Sequence, residues 1–120
     1  MTKKDIYAVP PELEKAKPHF IVEIVEYLPH AIVSRTILKK TTGNIIVSSF
    51  DEGEEQEEKT YPFDTFIQII DGVAEISIDK KPFRLGLGDG IIVPAHAPHC
   101  SNANEQFKMI STTIKSGYVD

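Results

Sequence analysis

Gly88-Asp89-Gly90-Ile91-Ile92-Val93-Pro94-Ala95-His96-Ala97-Pro98-His99 decides how this chain is read, because it sets two histidines at the end of a short apolar run framed by glycines and prolines. The glycines admit tight backbone geometry before the run and the prolines end it, so Ile91 to Pro94 reads as one short strand entering a turn. Histidine is the commonest nitrogen ligand for a metal ion and the commonest general base. What these two rings do therefore depends on the partners that other segments bring to them.

Working outward, short strands broken by turn residues extend over most of the chain. Ala31 to Lys39 reads as a strand, Gly43-Asn44 as a turn into Asn44 to Phe50, and Thr65 to Ile70 as the next strand. Asp71-Gly72 is a two-residue hairpin signal leading into Val73 to Asp79. Asp79-Lys80-Lys81-Pro82 turns again into Phe83 to Leu87, and His99 to Asn102 and Phe107 to Lys115 close the series. About eight evenly spaced strands in a nearly helix-free body favour an antiparallel sandwich or small barrel over a parallel sheet. Lys59, Tyr61, Phe63, Thr65, Ile67 and Ile69 share one parity, so an unbroken strand turns them to one face, the barrel interior. Phe66, Gln68 and Ile70 then face outward, which points to packing against a second sheet or subunit. Pro62 can bulge this strand and break the parity between Tyr61 and Phe63.

The first thirty residues read as a covering segment, 1–30, ahead of a barrel domain, 31–120. Pro10 and Pro11 precede Glu12-Leu13-Glu14-Lys15-Ala16, a helical turn started by proline. Phe20, Ile21, Ile24, Val25 and Leu28 recur at helical spacing between Pro18 and Pro29, so a short amphipathic helix is expected over 19–28. The β-branched run Ile21-Val22-Glu23-Ile24-Val25 leaves a strand open as the alternative. Either would cover a sheet edge that otherwise invites aggregation, a task that pairing in a homodimer can share.

A chain of 120 residues has room for one core. Its 18 Asp and Glu against 13 Lys and Arg leave a net charge of −5, which argues against nucleic acid as a partner because such binding neutralises phosphates. No apolar run approaches the roughly 20 residues of a membrane span, and Met1-Thr2-Lys3-Lys4-Asp5 lacks the apolar stretch of a signal peptide. No membrane partner and a cytoplasmic location are the expectations. Cys100 is the single cysteine, which excludes an internal disulfide and a cysteine-rich zinc site. Asp51 to Glu58 holds six carboxylates in eight residues, without the alternating ligands of a calcium-binding loop, and reads as a solvated loop.

With strands and turns in this order, the chain resembles the small single-domain cupins of the conserved-barrel type, all-β proteins built as a double-stranded β-helix, or jelly-roll, barrel. The family's second motif runs glycine, five residues, proline, one residue, glycine, two residues, histidine, three residues, asparagine. Here it reads Gly88, Pro94, His96 in the glycine's place, His99, and Ala103 in the asparagine's place. In the first motif Gly53 and Gly72 fall on the framework glycines, Lys59 and Tyr61 stand where the family has two histidines, and Thr65 stands where it has a glutamate. Ser34-Arg35-Thr36-Ile37-Leu38 and Gln106-Phe107-Lys108-Met109 extend the likeness over roughly residues 31 to 115. The resemblance implies iron, manganese, nickel, copper or zinc held by three histidines and a carboxylate, and this chain keeps one of those four positions, His99.

Three readings of the site follow. In the first, Lys59, Tyr61, Thr65 and His99 form the polar part of a mainly apolar cavity that holds a small molecule, with no metal cofactor. In the second, His99 acts as general base and Tyr61 as general acid in a metal-independent isomerase, epimerase or lyase. In the third, a metal-dependent oxygenase or isomerase, the ion is held by His99 with His96 as its second ligand. Against all three stands a structural reading in which Lys59 reaches toward the acidic loop and His99 only bonds backbone. His19 and His30 read as surface or packing residues, and Arg35 and Arg84 read as exposed strand charges, with a guanidinium near an anionic ligand as the alternative.

Overall fold

The computed structural model of this protein describes residues 12–119. Eight strands follow one another: β1 (Ile32–Lys40), β2 (Gly43–Phe50), β3 (Asp64–Gly72), β4 (Ala74–Ile78), β5 (Lys81–Leu85), β6 (Gly90–Val93), β7 (His99–Asn102) and β8 (Phe107–Ile114). They build two antiparallel sheets, one of five strands in the order β1-β2-β8-β3-β6 and one of three in the order β5-β4-β7. This is the jelly-roll architecture expected from the strand pattern. Among the described residues no helix is long and apolar enough to cross a membrane.

Alternation along the strands creates the interior. In β4, Ala74, Ile76 and Ile78 are buried while Glu75 and Ser77 are half-exposed, and β3 buries Thr65, Ile67 and Ile69 between exposed neighbours. At one end of the barrel Phe50 and Phe107, cross-strand partners in β2 and β8, stack with ring centroids 4.4 Å apart. Ile69, Ala74, Ile76 and Leu85 complete a dry apolar cluster around them. Burying such a cluster supplies most of the driving force for folding, at about 1.5–3 kcal/mol per large side chain.

Two turns differ from the expected ones. Asp71-Gly72 makes no hairpin: β3 runs through both residues, pairing them with Lys108 and Phe107, and the chain then crosses into the other sheet. Gly72 has φ +73°, and a Cβ there would lie 2.0 Å from the Gln106 carbonyl oxygen, so glycine is required for the crossing, not for a tight loop. The β1–β2 turn lies at Thr41-Thr42, because Gly43 is already in register with Lys40. Gly43 serves close approach instead, since a Cβ would meet the Thr113 carbonyl oxygen at 2.5 Å. Asp79-Lys80 does join β4 to β5, both residues at positive φ as a two-residue hairpin with matching strand twist demands.

The expected helix over 19–28 is not formed. A single 3-10 turn, Ile21–Glu23, takes its place, and Glu12 to Ala16 contains a turn with Ala16 at φ +58° in place of a helical one. Pro10, Pro11 and the Met1 to Asp5 start lie outside the described residues. The physical reason lies in where the backbone carbonyls go. Val22 O accepts from the Lys108 ammonium at 2.6 Å and Glu26 O accepts from the Ser49 hydroxyl at 2.7 Å, bonds that satisfy polar groups buried on the outer face of the large sheet. Leu13 N–H donates to Ile37 O at 3.1 Å, at the bulge in β1. An irregular strap presents these groups where a regular helix would consume them internally.

Candidate functional site

At the end of the barrel opposite the Phe50–Phe107 stack, the inward-facing positions change from apolar to polar. Along β8 they read Phe107, Met109, Ser111, Thr113, and along β3 in the reverse direction Ile69, Ile67, Thr65. Met109, Ser111, Thr113, Ile67 and Thr65 line a cavity of about 410 Å³. That volume lies within the range of small-molecule sites, about 300–1,000 Å³.

Lys59, Tyr61, Phe63, Thr65 and Ile67 all line this cavity, so the parity expected of that stretch holds across Pro62. Regular strand begins only at Asp64, yet the preceding residues are held in place by the Pro94–His99 segment. Lys59 and His99 exchange two backbone hydrogen bonds of 2.9 Å, and His96 N–H donates to Tyr61 O at 2.6 Å. The Ala95 N–H bonds the Asp64 carboxylate at 2.8 Å. The Pro94–His99 turn is thus the clamp that fixes the opposite wall.

His99 is 7% exposed and turns its ring into the cavity. Its Nδ1 lies 3.3 Å from Ala97 O, a long contact that leaves the ring weakly oriented. Tyr61 meets it edge-on, with ring centroids 5.7 Å apart and planes at 64°. Thr65 Oγ1 lies 3.0 Å from Thr113 Oγ1, and Ser34 Oγ lies 2.8 Å from Ser48 Oγ, so hydroxyls pair across neighbouring strands on the cavity wall. The four residues singled out for ligand binding, Lys59, Tyr61, Thr65 and His99, are therefore brought together.

His96 is not among them. It is exposed at φ +71° in the turn and does not line the cavity, which corrects the pairing of His96 with His99 as metal ligands. Among the described residues no three His, Cys, Asp or Glu side chains converge on a point that could hold an ion. At the positions where the family resemblance implies a metal, one imidazole stands with an ammonium, a phenol and a secondary alcohol. That donor set does not suit a catalytic divalent ion, which takes at least three protein ligands of the imidazole, thiolate or carboxylate type. Lys59 forms no ion pair with the acidic loop among the described residues; Glu58 pairs instead with Lys80 at 3.8 Å.

Sequence reasoning passed over Ser48, Ser101, Ser111, Thr113 and Lys115, all of which line the cavity. A signal was present in β8, where Phe107, Met109, Ser111, Thr113 and Lys115 share a parity and grade from apolar to charged. It marks which end of the barrel is wet.

No family model matches the chain, and no curated protein matches it. Solved structures do. A conserved protein of unknown function from Streptococcus pyogenes is 31% identical, matching 90% of this chain and 95% of its own length with a TM-score of 0.84. A cupin superfamily protein from Desulfitobacterium hafniense is 27% identical over 88% of this chain and 97% of its own, with a TM-score of 0.81. A cupin 2 conserved barrel domain protein from Leptotrichia buccalis is 32% identical over 78% of this chain, which spans 46% of that protein, with a TM-score of 0.76.

Proposed function

The chain belongs to the cupin superfamily, and from that premise we propose that it is a small-molecule-binding barrel that works without the transition metal its family usually carries. The observation that supports this most is the wall of the cavity. Hydroxyls from β1, β2, β3, β7 and β8 converge with His99, Tyr61 and Lys59 around one space, while the metal-type ligands are reduced to a single imidazole. The paired hydroxyls Ser34–Ser48 and Thr65–Thr113 keep further lone pairs that a polar ligand can engage.

Two measurements test the reading. Elemental analysis of the purified protein is expected to find no stoichiometric transition metal; one ion per chain that is lost in His99→Ala would overturn the proposal. Thr65→Phe places a ring in the cavity, and it should abolish any ligand released from the wild-type protein by denaturation and identified by mass spectrometry. Retention of that ligand by a folded Thr65→Phe variant would move binding to another place.

The second reading is metal-independent isomerase or lyase chemistry, with His99 as base and Tyr61 as acid. The edge-on approach of these two rings at one cavity favours it. The lack of a carboxylate to orient His99 weighs against it, since a general base is normally held by a second group. We also infer a homodimer. Phe66 and Ile92, cross-strand partners on the outer face of the large sheet, are 44% and 63% exposed and form an apolar surface at its β6 edge.

A further inference from the structure

We propose that the ligand of this cavity is a small hydroxylated carboxylate, its anionic group met by the ammonium groups of Lys59 and Lys115. The inference rests on the binding reading above and deepens it by naming the ligand class. It starts from an inversion of charge. The chain carries 18 acidic and 13 basic side chains, yet among the described residues the cavity lining includes Lys59, Lys115 and His99 and no Asp or Glu. A net negative protein repels an anion at long range, so a locally basic cavity mouth has a specific task.

The two lysines come from different walls, Lys59 from the stretch before β3 and Lys115 from the residue after β8. Among the described residues neither forms an ion pair. Their positive charge is instead set against rings: Lys59 Nζ lies 5.7 Å from the Tyr61 ring centroid and Lys115 Nζ lies 6.0 Å from that of Phe63, and both rings line the same cavity. Such contacts are weak at a wet site, and a carboxylate that replaces them gains two charge-assisted hydrogen bonds.

The rest of the lining specifies the body of the ligand. In the Ser34–Ser48 and Thr65–Thr113 pairs each contact uses one hydroxyl proton of two, which leaves a donor and several lone pairs facing the cavity. Ile67 and Met109 supply an apolar floor. Hydroxyl groups on a short carbon chain match this wall. Arginine forks and helix N-termini, two common means of holding a phosphate, are absent from the lining among the described residues.

The test compares two probes of one carbon skeleton, D-gluconate and D-glucitol, by titration into the isotopically labelled protein with backbone amide shifts as the readout. Gluconate is expected to shift the amides of the cavity strands and to bind at least about tenfold tighter than glucitol. Its affinity should fall as salt is added. Lys59→Gln and Lys115→Gln should each remove most of the preference while the spectrum stays dispersed, and Lys115→Arg should restore it. Equal shifts from glucitol and gluconate would overturn the anion inference and leave the cavity-binding reading standing. If neither probe moved the cavity amides, the hydroxylated-carboxylate inference would fall, and the binding reading would stand or fall on the ligand-release test of Thr65→Phe. An unchanged preference in the two glutamine variants would also overturn the assignment to these lysines.

Discussion

Gly72 shows how much one residue can decide. It carries the chain from one sheet to the other at a positive φ, with the Gln106 carbonyl oxygen occupying the space where a side chain would begin. Gly72→Ala therefore meets two costs together, a left-handed backbone and a backbone clash, and should destabilise the fold by about 2 kcal/mol or more. Urea unfolding followed by circular dichroism checks this, and a loss under about 0.5 kcal/mol, the range of a neutral surface change, would contradict it. His99 is legible in the sequence for a similar reason, because glycine and proline at fixed offsets mark its turn. His96 was legible in part: it stands in the place of the family's turn glycine, a position that calls for positive φ, which histidine tolerates, and it takes that conformation with its ring exposed. Both rings follow the same strand, and only the backbone dihedrals separate the one that enters the cavity from the one that faces solvent.

Among the elements, the strap over residues 12–30 departs most from expectation, and its chemistry yields a pH prediction. Tyr27 donates to the Asp71 carboxylate at 2.5 Å, and the Lys108 ammonium sits 4.8 Å from the Tyr27 ring centroid. Burial, then the hydrogen bond to Asp71 and its negative charge, push the Tyr27 phenol well above its ordinary value near 10. The folded state holds a proton that the unfolded chain gives up, so this contribution is complete below about pH 10 and shrinks as pH rises beyond it. Thermal melts of the wild type should fall between pH 10 and 11.5 more steeply than those of Tyr27→Phe; parallel curves would refute the linkage. The helical spacing of Phe20, Ile21, Ile24, Val25 and Leu28 was a real pattern that formed no regular helix. Of those residues only Val25 is buried, while Phe20 and Leu28 stay exposed, and the segment's carbonyls are claimed by Lys108 and Ser49, long-range partners that local periodicity does not reveal.

For the whole molecule, the outer face of the large sheet raises the question of assembly. Phe66 and Ile92 lie side by side near the β6 edge, where unpaired backbone groups also await a partner. A homodimer through this face should be dissociated by Ile92→Glu, read as a halving of mass in light scattering, whereas a wild-type chain that is monomeric throughout would remove the expectation. The division of the barrel into a dry end and a wet end is the molecular feature on which function rests. By itself the sequence determined the strand count, the inward parity of Lys59 to Ile69 and the fold, because side chains alternate with period two and glycine and proline punctuate the chain locally. Tertiary structure alone decided that Asp71-Gly72 changes sheets and that the strap is irregular. Those outcomes depend on contacts between residues tens of positions apart, which neither propensity nor periodicity encodes.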